Sequence, residues 1–379
     1  MPNLKNQFVL DPNLIFLNHG SFGACPIPVI ENFNIWQKRM ESNPCQFLET
    51  DIFPLLSYSR KELGKFVGCD GDDLVYYPNP THAVNAVARS LKLNSGDEVL
   101  GTNHIYGALD FTWKQVCEDS GARFVKSEIP TPINSKNDFL ELFFSYVTDK
   151  TKVIFISQVT SMTAMIFPVE DIIQFAKERN ILTIIDGAHV PGHLPLNIKA
   201  LDPDIYTGAC HKWMCAPKGT SFLYVNKELQ NSIIPPVISW GWEVELSQSS
   251  QFLNRHEWQG TRDMTPFLVV PAAIQFLNDN NWTENSNINR KLVISTRNKF
   301  LDFLHEEPLC PDDWLGQMAT IQLPIDDPVK FKLSLLEKYK IQIPVFTWGS
   351  LTALRFSVHF YNSEEDSNRL FDAVKELLK

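Results

Sequence analysis

Short apolar runs alternate with amphipathic stretches along the chain from about residue 70 to residue 225. The runs are rich in β-branched residues, which is typical of buried strands, and the stretches between them have helical spacing. The predicted strands are residues 74–77, 98–101, 122–125, 152–157, 182–186, 205–207 and 221–225. The predicted helices include residues 81–93, 108–119 and 169–179. This alternation predicts an α/β fold with a mostly parallel seven-stranded sheet flanked by helices.

The pattern changes after Pro266. A helix is followed by an asparagine-rich stretch at residues 278–289, which we predict to be a turn. A long helix, a few strands and a closing helix come next, and they indicate a smaller C-terminal α/β domain. The predicted division is an N-terminal segment at residues 1–20, a large domain at 21–265 and a small domain at 266–379.

Two charged residues follow apolar runs of the large domain. Asp186 follows the apolar run Leu182-Thr183-Ile184-Ile185. Lys212 follows the next apolar run, within His211-Lys212-Trp213. Either residue alone is ordinary, because a strand-end lysine is usually solvated and an aspartate often caps a helix. Together they match the chemistry of pyridoxal 5′-phosphate (PLP), in which a lysine forms a Schiff base and an acid keeps the pyridine nitrogen protonated. Ligands of such sheets bind at the carboxyl ends of the strands. The same rim is therefore expected to hold Asn79-Pro80-Thr81, Asn103-His104 and Ser161.

Composition excludes several other classes. A net charge of −10 over 379 residues argues against nucleic-acid binding. The sequence contains no apolar run of the roughly 20 residues that cross a membrane, and no secretory signal is visible. The seven cysteines have no CxxC spacing, which predicts free thiols in the cytoplasm. His189 and His193 are four residues apart, but Pro191 and Gly192 between them make a helical metal site unlikely to form, so we predict no metal.

Eight ordered motifs make the chain resemble the class V aminotransferase family of fold-type I PLP enzymes, and within it the isopenicillin N epimerase-like branch. They are LNHGSFGACP (17–26), NPTHAVN (79–85), HIYGA (104–108), SQVTSMTA (157–164), DGAH (186–189), HKWMCAPKG (211–219), GTRD (260–263) and RFSVHFYN (355–362).

The resemblance implies roles for individual residues. Lys212 is expected to form the Schiff base, Asp186 to bind the pyridine nitrogen and His189 to bind the phenolate oxygen of the cofactor. The phosphate is expected at Thr81 and His82, which open a helix whose N-terminus favours anions, with help from His211. His104 is expected to stack on the cofactor ring, and Ser161 is a further expected contact. Gly260 and Thr261 are expected to reach the phosphate of a neighbouring subunit, which predicts a homodimer.

The resemblance also implies substrate contacts. Arg355, predicted to begin a strand, is expected to bind the substrate carboxylate through its planar guanidinium. Asn18 and His19 are further expected substrate contacts. Tyr106 is expected to act as an acid or base on the substrate face.

Four reactions compete. A cysteine desulfurase needs a nucleophilic cysteine shortly before Arg355, and residues 338–354 contain none. An epimerase needs proton donors on both faces of the α-carbon, with Lys212 on one face and Tyr106 or His19 on the other. A C–S lyase needs Lys212 as base and an acid near the leaving sulfur, which Tyr106 also fits. A transaminase needs little beyond Lys212.

We predict an epimerase or C–S lyase acting on a cysteine-derived or peptide-like amino acid, with transamination as the alternative. A second alternative is a non-catalytic protein of the same fold, although such a scaffold is expected to lose Lys212 or Asp186. Nucleotide binding is disfavoured because the usual glycine-rich phosphate motifs are missing from the sequence.

Overall fold

The computed structural model describes residues 4–246 and 248–379. Its strands, in chain order, are β1 (Ile15–Phe16), β2 (Leu74–Tyr77), β3 (Glu98–Thr102), β4 (Arg123–Ser127), β5 (Thr151–Ser157), β6 (Leu182–Gly187), β7 (Ile205–Ala209), β8 (Ser221–Val225), β9 (Met318–Gln322), β10 (Ile341–Gln342), β11 (Val345–Trp348) and β12 (Leu351–Ser357). The strands predicted in the large domain all form, with bounds that differ by at most two residues.

Seven of these strands form the central sheet, in the order β2-β8-β7-β6-β5-β3-β4. The sheet is parallel except at β8, which runs antiparallel to both β2 and β7. Four strands (β2, β3, β7 and β8) are buried along their whole length, which explains their unbroken apolar character. The predicted mostly parallel seven-stranded sheet is confirmed, and the carboxyl ends of β5, β6 and β7 share one edge.

The helices cover the sheet and build the C-terminal part of the chain. They are α1 (His19–Phe22), α2 (Ile27–Ser42), α3 (Pro44–Gln46), α4 (Ile52–Val67), α5 (Pro80–Ser90), α6 (Gly107–Ser120), α7 (Lys136–Phe144), α8 (Val169–Lys177), α9 (Ile198–Leu201), α10 (Gln251–Glu257), α11 (Thr265–Leu268), α12 (Val270–Asp279), α13 (Trp282–Leu304), α14 (Pro328–Tyr339) and α15 (Glu364–Leu377). Among the described residues, no helix is both long enough and apolar enough to span a bilayer.

The asparagine-rich stretch is mostly helix rather than a turn, so that prediction is wrong. Helix α12 ends at Asp279 and α13 begins at Trp282, which leaves only Asn280 and Asn281 between them. Asn281 turns the chain with a φ of +46°, a left-handed conformation that asparagine tolerates. Asn289 is helical and buried, and its side chain donates to the side chain of Gln317 at 2.9 Å. This tertiary hydrogen bond offsets the weak helix propensity of asparagine.

Beyond the central sheet, β11, β12 and β9 form a three-stranded antiparallel sheet in that order. Arg355 was predicted to begin a strand, but it lies inside the middle strand, β12, opposite Thr320. The N-terminal segment joins the C-terminal part of the chain, because β1 pairs with β10 in parallel and Leu4 donates to the carbonyl of Phe360. The division at residues 20 and 265 remains a prediction.

Candidate active site

A cavity of about 790 Å³ opens at the carboxyl edge of the central sheet. Its wall combines α1, the start of α5, the ends of β5 and β6, the loop after β7, and Arg355 from β12. The predicted site residues that line it are Thr81, His82, Tyr106, Ser161, Asp186, His189, His211, Lys212 and Arg355. The topology therefore brings most of the predicted site into one space.

Lys212 lies in the loop that follows β7, with its Nζ 3.2 Å from Nε2 of His189. Burial, opposed by Asp186 and assisted by the nearby Arg355, lowers the pKa of Lys212 to about 8. The charged form of an amine is poorly solvated at such a position. Roughly a tenth of Lys212 is therefore the neutral, nucleophilic amine at pH 7, far more than for an ordinary lysine.

Asp186 lies near the end of β6 and is only 5% exposed. Its Oδ1 accepts from the backbone N–H of Ala188 at 3.0 Å, and its Oδ2 accepts from the hydroxyl of Ser157 at 3.4 Å. Burial raises the pKa of Asp186, although these two hydrogen bonds and Lys212 lower it. Among the described residues, no lysine or arginine forms an ion pair with this carboxylate. A protonated ring nitrogen of a bound cofactor fits the carboxylate chemically.

The N-terminus of α5 opens into the same cavity. Asn79 caps this helix by accepting from the backbone N–H of His82 at 2.9 Å, and Pro80 occupies the first turn. Thr81 and His82 line the cavity at the positive end of the helix dipole, which suits a phosphate. His211 hydrogen-bonds the carbonyl of Thr220 through Nδ1 at 2.8 Å. Burial lowers the pKa of His211 to about 4, so its Nε2 is an acceptor until an anion favours protonation there.

Arg355 carries a buried charge in the wall of the same cavity. Its Nη2 donates to Oγ of Ser21 at 2.9 Å, and its Nη1 donates to the carbonyl of Ser161. Burial lowers the pKa of Arg355 to about 10. Within residues 4–246 and 248–379, no carboxylate forms an ion pair with this guanidinium. The geometry provides a cation for an anionic ligand group.

His104 lies outside the cavity lining, and its predicted stacking on the cofactor ring remains a prediction. Its ring is fully buried, with Nδ1 hydrogen-bonded to Thr163 at 2.8 Å and Nε2 to the carbonyl of Ile129 at 3.0 Å. These two bonds hold the ring in the core, against Trp348. Tyr106, two residues later, precedes α6, lines the cavity and is 45% exposed.

Asn18 and His19 also lie outside the cavity lining, so their predicted direct contact with substrate is not supported. His19 is buried, and its ring nitrogens bond the hydroxyl of Tyr361 at 2.7 Å and the carbonyl of Lys212 at 3.1 Å. Asn18 accepts from the hydroxyl of Ser21 at 2.5 Å. Both residues therefore support groups that do line the cavity.

Ser21 is a residue that the sequence reasoning missed. It lines the cavity and contacts Arg355 directly. The motif LNHGSFGACP indicated that this segment has polar side chains near the ligand, because Ser21 closely follows the predicted pair Asn18 and His19. Spacing alone does not show which of these three side chains faces the ligand.

Gly260 and Thr261 lie in the loop between α10 and α11, away from the cavity of their own chain. Gly260 has a φ of +97°, and a Cβ at that position would meet open space. Their predicted contact with the phosphate of a second subunit remains a prediction.

One cluster of metal-ligating side chains lies among the described residues. His19, Cys215 and His359 place their ligand atoms within 4.8 Å of one another. The rings of His19 and His359 stack at 3.7 Å with an angle of 9°. Parallel rings direct their lone pairs side by side rather than toward one point, and both nitrogens of His19 already have partners. This cluster is a packing arrangement rather than a metal centre.

Comparison with known proteins gives consistent findings. The sequence model described as Aminotransferase class-V matches residues 24–370. An isopenicillin N epimerase of Amycolatopsis lactamdurans is 32% identical over 392 residues, covering 100% of this chain and 98% of the epimerase. A probable chloroplastic L-cysteine desulfhydrase of Arabidopsis thaliana is 26% identical and covers 97% of this chain and 84% of its own length. The cystine C–S lyase C-DES, solved with its product cysteine persulfide, superposes with a TM-score of 0.85 at 19% identity, over 96% of this chain and 97% of the lyase chain.

Proposed function

This chain belongs to the class-V aminotransferase family, and from that premise we propose that it acts at the α-carbon of an amino acid as an epimerase or a C–S lyase. The family resemblance and the fold predicted from the motifs are confirmed. The chain is a PLP-dependent enzyme, so the alternative of a non-catalytic protein of this fold is set aside.

The cavity fits PLP residue by residue. Lys212 supplies a nucleophilic amine, Asp186 a buried carboxylate for the ring nitrogen, and His189 a contact for the phenolic oxygen. Thr81 and His82, with His211, provide the anion-binding end. When bound, PLP withdraws electrons from the substrate α-carbon and so weakens its bonds.

Arg355 is the observation that carries the proposal. A buried guanidinium without a carboxylate partner among the described residues lines the same cavity as Lys212. The carboxylate of an amino acid would supply the missing anion and hold the α-carbon within the cavity. Lys212 is then the base for the α-proton, a step that an epimerase and a C–S lyase share.

Tyr106 separates the two outcomes. If its hydroxyl returns a proton to the α-carbon, the product is the other enantiomer. If it protonates a departing sulfur, the C–S bond breaks instead. No cysteine lines the cavity in the described part of the chain, which argues against a step in which sulfur is transferred to an enzyme thiol.

We take the substrate to be a cysteine-derived or peptide-like amino acid. The motifs LNHGSFGACP and HIYGA support this choice, since they carry the resemblance to the branch, and Ser21 and Tyr106 from them line the cavity. The named activities of the two relatives, on isopenicillin N and on L-cysteine, point the same way.

The test is to incubate the PLP-loaded enzyme with S-methyl-L-cysteine and a panel of other amino acids and dipeptides in D₂O. Epimerisation gives a D-enantiomer that carries solvent deuterium at the α-carbon. C–S cleavage gives pyruvate, ammonia and a thiol. Lys212→Ala is the control for enzyme-dependent chemistry. Stoichiometric conversion of the cofactor to its amine form, with a keto acid as product, would instead establish transamination and contradict the proposal.

We further propose that the enzyme is a homodimer whose sites share residues of both subunits. Phe22 and Tyr106 line the cavity and are 69% and 45% exposed, so both are accessible to a second copy of the chain. The open position of Gly260 and Thr261 suits a contact with a second copy.

Subunit mixing tests this arrangement. Lys212→Ala and Thr261→Glu are each expected to be inactive, the second because a carboxylate would repel the phosphate. Reassociated mixtures would contain dimers with one intact site and recover roughly a quarter of wild-type activity. Mixtures that stay inactive, although light scattering shows dimers, would contradict shared sites.

We place the enzyme in the cytoplasm. All seven cysteines are free thiols, four of them buried, which suits a reducing compartment. Fractionation of cells that express the tagged protein would test this placement.

A further inference from the structure

His189 takes part in two hydrogen bonds through its ring, and its partners restrict where its proton can be. The indole Nε1 of Trp213 donates to Nδ1 of His189 at 3.3 Å, and Nε2 of His189 lies 3.2 Å from Nζ of Lys212. Trp213 is fully buried and His189 is 3% exposed, so water does not compete for the contact between the indole and Nδ1. His189 lines the cavity, and the buried indole of Trp213 contacts it from outside the lining.

The indole can only donate a hydrogen bond, so Nδ1 of His189 must present a lone pair to it. Burial, with Lys212 as the next cause, holds the pKa of His189 well below its usual range, so the ring is neutral and has one proton. With Nδ1 occupied as an acceptor, that proton lies on Nε2. The opposite arrangement would place two N–H groups against each other at 3.3 Å.

We propose that Trp213 is a positioning residue whose indole N–H fixes the tautomer of His189, so that the Nε2 proton of His189 always faces Lys212 and the cofactor. The role toward the cofactor rests on the proposed function, because Lys212 must be the lysine that binds it. A fixed donor suits a phenolic oxygen that carries negative charge, whereas a lone pair at Nε2 would repel that oxygen.

His193 holds the indole in place. Its ring stacks on Trp213 at 4.1 Å with an angle of 20°. The backbone N–H of Gln317 donates to Nε2 of His193 at 2.5 Å, so Nδ1 carries the proton and donates to the carbonyl of His189 at 2.8 Å. Gly316 permits this approach, since a Cβ there would lie 2.1 Å from Nε2 of His193. In this series of contacts, from the backbone N–H of Gln317 to Nζ of Lys212, every hydrogen-bond donor thus meets an acceptor.

The arrangement also affects Lys212. An Nε2–H can bond the lone pair of a neutral amine but repels an ammonium ion, so the fixed tautomer favours the neutral form of Lys212. Without the indole, His189 could turn an Nε2 lone pair toward the ammonium ion and stabilise it. The other charged or titratable groups that act on this pair are Asp186, Arg355, His193 and His211, and none of them changes when only the indole N–H is removed.

The first test is made on the apoprotein, without the cofactor. Nitrogen NMR of protein labelled with ¹⁵N-histidine distinguishes protonated from unprotonated ring nitrogens, and His189→Asn identifies the signals. We expect Nε2 of His189 to be protonated and Nδ1 to be an acceptor in the wild type. A proton on Nδ1 would overturn the proposal, and this outcome does not depend on any variant that might fail to fold.

The second test compares Trp213→Phe with Trp113→Phe. Both replace a fully buried tryptophan, but the indole N–H of Trp113 has no hydrogen-bond partner among the described residues. The midpoint for Lys212 is measured from the pH dependence of its modification by trinitrobenzenesulfonate, followed by peptide mapping. Trp213→Phe is expected to raise this midpoint by about one pKa unit, the size of one hydrogen bond to a charged group, and to mix the His189 tautomers.

Trp113→Phe is expected to leave both measurements at their wild-type values. An unchanged midpoint and tautomer in Trp213→Phe would overturn the proposal, as would an equal shift in the two variants. A wild-type tautomer as expected, in a protein that never binds PLP through Lys212, would instead refute the proposed function and leave the role of Trp213 in place.

Discussion

Replacing Arg355 with methionine is expected to weaken substrate use without weakening the fold. Arg355 is 5% exposed, and burial lowers its pKa from the usual 12.5 to about 10. A shift of this size corresponds to a cost of about 3 kcal/mol for keeping the charge in the folded protein. Because folding lowers this pKa, the cost is present at every pH below about 10 and disappears only above the pKa of the unfolded chain.

Methionine is unbranched, shorter than arginine and uncharged, so Arg355→Met removes that cost. It also removes the hydrogen bonds to Ser21 and Ser161, whose freed polar groups face a cavity that water can enter. The free energy of unfolding of the apoprotein is therefore expected to stay the same or to rise by about 1–3 kcal/mol. Thermal unfolding of the wild type and the variant, both without PLP, measures this change.

Although Arg355→Met is expected to keep or raise stability, it is expected to lower the efficiency with which the enzyme uses its substrate. Loss of a bidentate, charge-assisted contact with a carboxylate is worth about 3–4 kcal/mol, which lowers kcat/KM by about 10²–10³-fold. Exchange of the α-proton of S-methyl-L-cysteine with solvent deuterium measures kcat/KM. The amide of the same compound has no carboxylate and is expected to react with the wild type and with Arg355→Met at similar rates. Ser21→Ala removes one hydrogen-bond partner of the guanidinium, and its kcat/KM should lie between the values of the wild type and Arg355→Met.

Two results would refute this reasoning. A fall of more than 3 kcal/mol in the stability of Arg355→Met would show that the charge is a structural requirement rather than an unpaired ligand. Equal losses with the acid and the amide would show that the guanidinium does not bind the substrate carboxylate.

Three further outcomes follow from the titratable groups of the site. Formation of the PLP–lysine absorbance should become faster between pH 7 and pH 9 with a midpoint near 8, because burial lowers the pKa of Lys212 to about 8; a rate independent of pH over this range would contradict that shift. Asp186→Asn should retain bound PLP but lose about 10²–10³-fold in kcat, measured by the same exchange reaction, since an amide cannot hold the ring nitrogen protonated. Because folding raises the pKa of Asp186, the charged carboxylate lowers the stability of the folded protein above that pKa. The Asp186→Asn apoprotein should therefore have a larger free energy of unfolding than the wild type at pH 7. This difference should disappear as the pH falls below about 4.

The central sheet was predictable because most of its strands are buried on both faces. Such strands are continuous apolar runs, as in Leu182–Gly187, and they stand out between amphipathic helices. The positions of Asp186 and Lys212 then follow from topology, since parallel strands present their carboxyl ends at one edge. The sequence pattern therefore predicts that Asp186 and Lys212 lie close together, and these are the two charged residues that are hardest to explain as surface charges.

Other parts of the site depend on contacts that no local pattern contains. His104 and Tyr106 are two residues apart after the same strand, and only the hydrogen bonds of His104 to Thr163 and Ile129 decide which ring enters the core. Arg355 lies at the cavity because β12 is the middle strand of its sheet, a pairing with β9 and β11 that the sequence pattern does not specify. The contact between Trp213 and His189 is likewise tertiary.

The most direct test of the account is the absorption spectrum of the purified protein with PLP, before and after borohydride, followed by peptide mapping of the reduced adduct. The account predicts a long-wavelength band that collapses on reduction, with the adduct on Lys212. A band that does not form even with added PLP, or an adduct on another lysine of the cavity such as Lys218, would contradict the assignment of Lys212 and the function built on it.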